Sequence, residues 1–296
     1  MIEKSVLERE INELVLHSYT KNNFEYQKEF EKFSINHFKT ESDKAILGLD
    51  IYQYSEFDDG RQPLIPFLFD ILLEKGFTYS KKVEPSLFPD QADEKDQTDE
   101  KKFINFKKKI ISTGDGGFII FSSPIKALVF NLYFFTALHM YNSGHLNSKL
   151  HQYVGDITIR SALTYDKVFN YEHNWYGKGI IKNARILNKD TLNRFIIDKE
   201  TYKYFMETFY GIETLSIVKP EDFKKAIDIK GEFKSLVFGG GERKDMLKNI
   251  HIQKINDVLA KSTKLIIYNI EIQFCAEIDQ KPFIFTLGNS NVTDVK

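Results

Sequence analysis

Leu7, Ile11, Leu14 and Val15 recur at helical spacing in a charged background, which predicts an amphipathic helix over residues 5–17. Such a helix packs either on its own domain or as a dimerisation arm. Ala45 to Ile51 is a short apolar run, the pattern of a buried strand. The next apolar periodicity predicts a helix from about Pro63 to Lys75, with Gly76 as its stop. Residues 80–102 hold Lys, Asp, Glu, Gln and prolines with little to bury, so they read as a solvated, charged, flexible insertion. Phe103–Ser112 and Phe118–Phe121 flank Gly114-Asp115-Gly116-Gly117, and Asp-Gly between apolar runs predicts a hairpin.

Ser122-Ser123-Pro124 supplies a cap and a first-turn proline for a helix through Tyr141. Beyond it the pattern predicts strands over 156–164 and 194–197, and helices over 178–187 and 201–209. A last hairpin follows, with arms 264–274 and 282–287. The alternation of strands and helices describes an α/β (α+β) sandwich built on a mixed sheet flanked by helices, with extra strands at the C-terminal end.

Composition narrows the function classes. The chain has 296 residues and a net charge of −1, with Lys and Arg spread along it. A nucleic-acid or membrane-surface partner usually needs a basic stripe, so neither is expected. Cys275 is the single cysteine, which forbids an internal disulfide and suits a reducing cytoplasm. The first residues are charged and lack the apolar core of a signal peptide. The run Ala127–Tyr141 is shorter than the ~20 apolar residues that span a bilayer. The seven histidines show no zinc-type spacing.

Two carboxylates stand at the ends of apolar strands: Asp50 closes Ala45–Leu49, and Asp115 sits in the hairpin turn. Taken singly, Asp50 reads as a helix cap and Asp115 as a turn former. Brought together by the hairpin, they become a pair of ligands for a divalent cation, since Mg²⁺ prefers one or two carboxylates plus substrate phosphates.

Four segments carry a family resemblance. Gly48-Leu49-Asp50-Ile51-Tyr52-Gln53-Tyr54-Ser55 resembles the first metal motif of class III nucleotidyl cyclases, the adenylate/guanylate type, and Ser112-Thr113-Gly114-Asp115-Gly116-Gly117-Phe118 resembles their second. Ile159–Thr164 resembles the strand after the intervening helix. Asn174 to Arg185 resembles the segment with base-reading and transition-state residues. The likeness runs from about 43 to 240, in the family's order. It implies a catalytic domain over 41–245; the helical periodicity makes 1–40 an N-terminal arm, and 246–296, outside the resemblance, read as a strand extension of the same domain.

By that resemblance Asp50, Asp115 and the Ile51 carbonyl hold two Mg²⁺ or Mn²⁺ ions. The backbone of Gln53, Tyr54 and Ser55 holds terminal phosphates, Arg185 stabilises the α-phosphate, and Lys230, with Lys234 competing for the role, binds the triphosphate. The family's transition-state asparagine falls on Ile181, with Asn183 two positions away. The two purine-reading slots hold Ile111 and Asn174. Neither purine code is present, and the chain then resembles the bacterial pyrimidine cyclases of Pycsar antiphage defence. That branch implies a cytoplasmic homodimer with composite sites that makes cyclic UMP, UTP being favoured over CTP, for a separate effector. An adenylate cyclase with altered base contacts and a non-catalytic cyclase-like module remain alternatives.

Overall fold

A computed structural model of the chain describes residues 43–85, 87–89, 97–171, 174–190, 194–208, 247–255, 257–260, 263–278 and 281–288, with 9–13, 28 and 217–218. Residues 9–13 are helical, as the amphipathic pattern predicts; apart from residue 28, also helical, the rest of the arm lies outside the described residues.

The strand β1 (Lys44–Ile51) runs between β3 (Gly116–Phe121) and β4 (Ile159–Asp166), antiparallel to both. β2 (Ile110–Ser112) edges β3. On the other side β4 pairs in parallel with β7 (Phe195–Asp198), making the sheet mixed. Beyond β7 come β12 (Ile267–Ile278), β9 (Leu247–Lys254) and β8 (Ile217–Val218), while β13 (Lys281–Gly288) pairs with the later half of β12. The C-terminal strands therefore extend the main sheet. Two hairpins stand off it: β5 (Phe169–Tyr171) with β6 (Asn174–Tyr176), and β10 (Val258–Ala260) with β11 (Thr263–Leu265).

Alternation along β1 divides the sheet into two faces. Ala45, Leu47, Leu49 and Ile51 join the large core beneath helices α1 (Leu64–Val83) and α3 (Pro124–Asn142). Ile46 points to the opposite face, where α5 (Lys178–Lys189) packs on β1 and β4. The helices α2 (Asp99–Lys107), α4 (Ser148–Val154) and α6 (Lys199–Thr208) complete the set. Along α3 nearly every side chain is buried, which explains an apolar run too short for a membrane. No described helix is long and apolar enough to cross one.

Three elements depart from the sequence pattern. α1 continues through Gly76 to Val83. A Cβ at Gly76 would lie 3.1 Å from the Phe134 backbone, so this glycine serves close packing of α1 on α3 and not termination. Residues 103–107, expected as a hairpin arm, belong to α2, whose Thr98 cap accepts from the Lys101 amide. Phe106 stacks on Phe77 and Phe103 packs tilted against the same ring, an arrangement at helical spacing that a strand could not offer to one partner. The insertion expected over 80–102 accordingly begins and ends in helices; residues 90–96 lie outside the described residues.

Candidate metal centre

The β2–β3 turn needs a residue in the left-handed region, and Gly114 provides it at φ +97°. The Thr113 amide donates to the Gly116 carbonyl and closes the turn. Register then fixes the neighbourhood, for Asp50 lies opposite Gly116, one residue from Asp115. Between the two acids stands Ile51, buried, whose amide donates to the Asp115 carbonyl at 2.9 Å. The expected pair of carboxylates is brought together.

On the other flank of Asp50, register places Arg160 opposite it on β4. The Arg160 guanidinium donates to Asp50 Oδ2 through Nε at 2.8 Å and again through its Nη2. Its Nη1 donates to the Asp190 carbonyl, and its Cζ lies 5.5 Å from the centroid of the Tyr52 ring. The sequence pattern gave this arginine no role. The available signal was a lone cation in an otherwise buried strand, in register with a lone acid. Burial raises the Asp50 carboxyl above its ordinary 3.8, Arg160 pulls it back, and the charge of Asp115 pushes it up again. Among the described residues the Asp115 carboxylate meets only the Thr113 hydroxyl, at 3.3 Å.

Residues Gln53, Tyr54 and Ser55 form the turn that follows β1. Gln53 is left-handed at φ 57°, a conformation uncommon outside glycine, and it leads the 3-10 turn Tyr54–Glu56. The turn is closed by the amides of Glu56 and Phe57, which donate to the Gln53 and Tyr54 carbonyls. Among the described residues, the amides of Gln53, Tyr54 and Ser55 have no backbone acceptor.

These groups fit a hard divalent cation. Two carboxylates and a peptide carbonyl are oxygen donors of the kind Mg²⁺ and Mn²⁺ take. One Asp50 oxygen is engaged by Arg160, which leaves the other for an ion. No group of three or more His, Cys, Asp or Glu converges among the described residues, so an ion held by this pair would take its remaining ligands from water or a bound molecule.

The remaining predicted residues stand apart from this pair. Arg185 is half-buried on α5, and no hydrogen bond or ion pair engages it among the described residues. Ile181, one turn earlier on the same face, is 52% exposed. Asn183 faces the other way: it is fully buried, and its amide donates to the Ile46 and Ala162 carbonyls and to the Thr164 hydroxyl. The possibility that Asn183 takes the place of the asparagine missing at Ile181 is thereby corrected; it pins α5 to the sheet.

Asn174 sits at the tip of the β5–β6 hairpin, exposed, its Oδ1 accepting from the Trp175 amide at 2.9 Å. Trp175 packs with Ile46 and Val168, about 14 Å along β1 from Asp50 at a strand's rise per residue. Ile111 is half-buried on β2, in the row Ile111–Phe118–Gly48 that lies on the α5 face. Nothing joins Asn174 to Ile111 within the described residues. Lys230 and Lys234 lie outside the described residues.

No family model matches the chain, and neither does any curated protein. Solved structures do. The catalytic core of a rhodopsin-guanylyl cyclase with converted specificity, in complex with ATPαS, is 10% identical over 79% of this chain and 96% of its own, at a TM-score of 0.43. The adenylyl cyclase CyaB from P. aeruginosa is 11% identical over 77% of this chain and 93% of its own, at 0.40. The guanylate cyclase domain of RhGC from Catenaria anguillulae, in complex with GTP, is 12% identical over 77% and 96%, at 0.42. At these values the likeness adds nothing to what the chain's own residues say.

Proposed function

We propose that the chain is a metal-dependent nucleotidyl cyclase that converts a pyrimidine nucleoside triphosphate, UTP ahead of CTP, into its 3′,5′-cyclic monophosphate and pyrophosphate. The observation that carries this reading is the convergence of Asp50 and Asp115 beside a turn with open amides at Gln53, Tyr54 and Ser55. In the reaction the 3′-oxygen attacks the α-phosphorus, the hydroxyl proton departs, and the bond to pyrophosphate breaks. Two Mg²⁺ or Mn²⁺ ions held by Asp50, Asp115 and the Ile51 carbonyl would acidify the 3′-hydroxyl and neutralise the triphosphate. The open amides hold terminal phosphate oxygens, Arg185 balances charge on the α-phosphate, and Lys230 grips the triphosphate.

The site is composite, assembled by two copies of the chain. Arg185 and Ile181 share one outward face of α5, and the nearby Tyr176 is 44% exposed. A second copy laid on this face carries its Asp50 and Asp115 to Arg185 and Asn174. Base choice rests on Ile111 and Asn174. Ile111 offers a purine no hydrogen bond, and a buried polar atom left unpaired costs about 1–3 kcal/mol. Because Asn174 Oδ1 is engaged by the Trp175 amide, its amide N–H groups are the part left to face a base. A donor suits the O4 carbonyl of uracil and opposes the amine that cytosine carries there. By its resemblance to the Pycsar enzymes the product is a second messenger in antiphage defence, read by a separate effector.

One observation favours a different reading. Ile181, exposed where the resemblance places an asparagine, fits a cyclase-like module without activity. Incubating the purified chain with ATP, GTP, CTP and UTP in competition, with Mn²⁺, and identifying the products separates the readings. UTP or CTP is expected to cyclise at least about tenfold faster than either purine, and Asn174→Ala to weaken that preference. Faster turnover of ATP removes the pyrimidine assignment and leaves a cyclase. No cyclic product from any of the four leaves the inactive module.

A further inference from the structure

A cavity of about 480 Å³ lies at the far end of the sheet from Asp50. Lys44, the first residue of β1, lines it, about 20 Å along the strand from Asp50. Five lysines reach it, namely Lys44, Lys81, Lys102, Lys109 and Lys126, and no Asp or Glu among the described residues lines it. The rings of Phe77, Phe88, Phe106 and Trp175 form much of the remaining wall, and Ser122 contributes a hydroxyl.

Lys126, half-buried, sets this cavity apart from an ordinary solvated basic surface, and exposed Lys109 adds its charge beside it. Neither has a carboxylate partner among the described residues. Lys126 is half-buried in the first turn of α3, where the helix dipole opposes a cation. Burial pushes its ammonium below the ordinary range, and the charge of Lys109 lowers it further. At Lys126 folding would be better served by an apolar or acidic residue. Exposed Lys109 and half-buried Lys126 repel each other beside a cavity walled by aromatic rings, and a multiply charged anion between them would relieve that repulsion.

We propose that this cavity binds a nucleoside monophosphate, its phosphate between Lys109, Lys126 and Ser122 and its base against the Phe88 and Trp175 rings. A dianionic phosphate matches two cations and a hydroxyl better than a single carboxylate does. The wall of rings gives a flat base a seat, and the volume falls in the range of small-ligand sites. This site is independent of the cyclase reading and stands or falls without it.

The test is calorimetric titration of the whole chain with UMP, CMP, AMP, GMP and inorganic phosphate, in EDTA so that no metal contributes. At least one monophosphate is expected to bind once per chain with a Kd below about 1 mM. Inorganic phosphate is expected to bind about tenfold more weakly or less, for want of a base. Lys109→Gln/Lys126→Gln should weaken the nucleotide about tenfold or more while Asp115→Ala leaves it unchanged. The double variant should melt no lower than the parent, because it removes a repulsion. Lys126→Gln alone, with Lys126→Arg as the variant that retains binding, serves if the pair misfolds. The proposal is overturned if no monophosphate saturates, if neither glutamine variant loses affinity, if inorganic phosphate binds as tightly, or if Asp115→Ala removes the binding.

Discussion

Asp50 and Asp198 have the same sequence signature, an aspartate closing a buried apolar strand, yet the fold treats them oppositely. Asp198 is 1% exposed and enclosed: Lys182 reaches it at 2.8 Å, and the Thr201 and Tyr165 amides both donate to its Oδ1. The same Lys182 also holds Asp166 at 2.9 Å and Glu200 at 3.1 Å. Burial raises the Asp198 carboxyl and Lys182 pulls it down, while three acids hold the lysine charged. Asp50 has one arginine, with no contact from that arginine to Asp115 among the described residues, and its side chain is 20% exposed. A strand-terminal carboxylate whose donors are all internal is structural. One whose neighbours leave negative charge uncompensated is able to accept a cation from outside.

The largest effect expected from that contrast is on turnover. Asp50→Ala or Asp115→Ala should each lower it about 10³-fold or more, roughly 4 kcal/mol of transition-state stabilisation. Steady-state assay of cyclic nucleotide with Mn²⁺ measures this, and a tenth of wild-type activity in either variant contradicts the two-ion site. Their stabilities should differ. Asp115→Ala relieves a repulsion, whereas Asp50→Ala deprives Arg160 of its carboxylate and should cost about 1 kcal/mol. Asp198→Ala should do the reverse of both, lowering stability by about 3 kcal/mol in denaturant titration because Lys182 loses its most buried partner.

Next in size is a test of whether the open carboxylates meet their arginine across a dimer. Arg185→Ala should be inactive alone. Mixed with Asp115→Ala, half of the randomly formed dimers pair the two variants, and one of their two sites is then intact. About a quarter of wild-type sites should return. Verified subunit exchange without recovery would place each site within one chain.

The fold was legible wherever burial alone decides it. β1, α3, α5 and the last hairpin follow apolar periodicity, and each forms within a few residues of its expected bounds. Gly76 and residues 103–107 misled because the deciding contacts are distant: Phe134 takes the space at Gly76, and Phe77 collects Phe103 and Phe106. The approach of Asp115 to Asp50 was legible because a Gly-Asp-Gly turn has strict backbone needs that the sequence displays directly. Arg160 was not, since its role comes from strand register with a residue 110 positions earlier. Nor could spacing alone separate Asn183 from Arg185. Burial does: one is locked to the sheet, the other faces outward.

A smaller effect tests the enclosed kind of site at the join between α3 and the C-terminal strands. His139 on α3 stacks on Phe285 of β13, with ring centroids 5.4 Å apart at 25°. Burial lowers its pKa below the ordinary 6.5, so the fold prefers the neutral ring. Above 6.5 the ring is neutral folded or unfolded, and its contribution is fully present. As pH falls through the lowered folded value, the unfolded chain takes up the proton first, and stability is lost. Urea titrations at about pH 7.5 and about pH 5.5 should therefore differ by up to about 1 kcal/mol on this group's account. His139→Phe keeps the stacked ring and removes the proton, so it should flatten that dependence while holding the stability near neutral pH. An unchanged pH slope in His139→Phe would show that the join between α3 and β13 does not sense protonation at this ring.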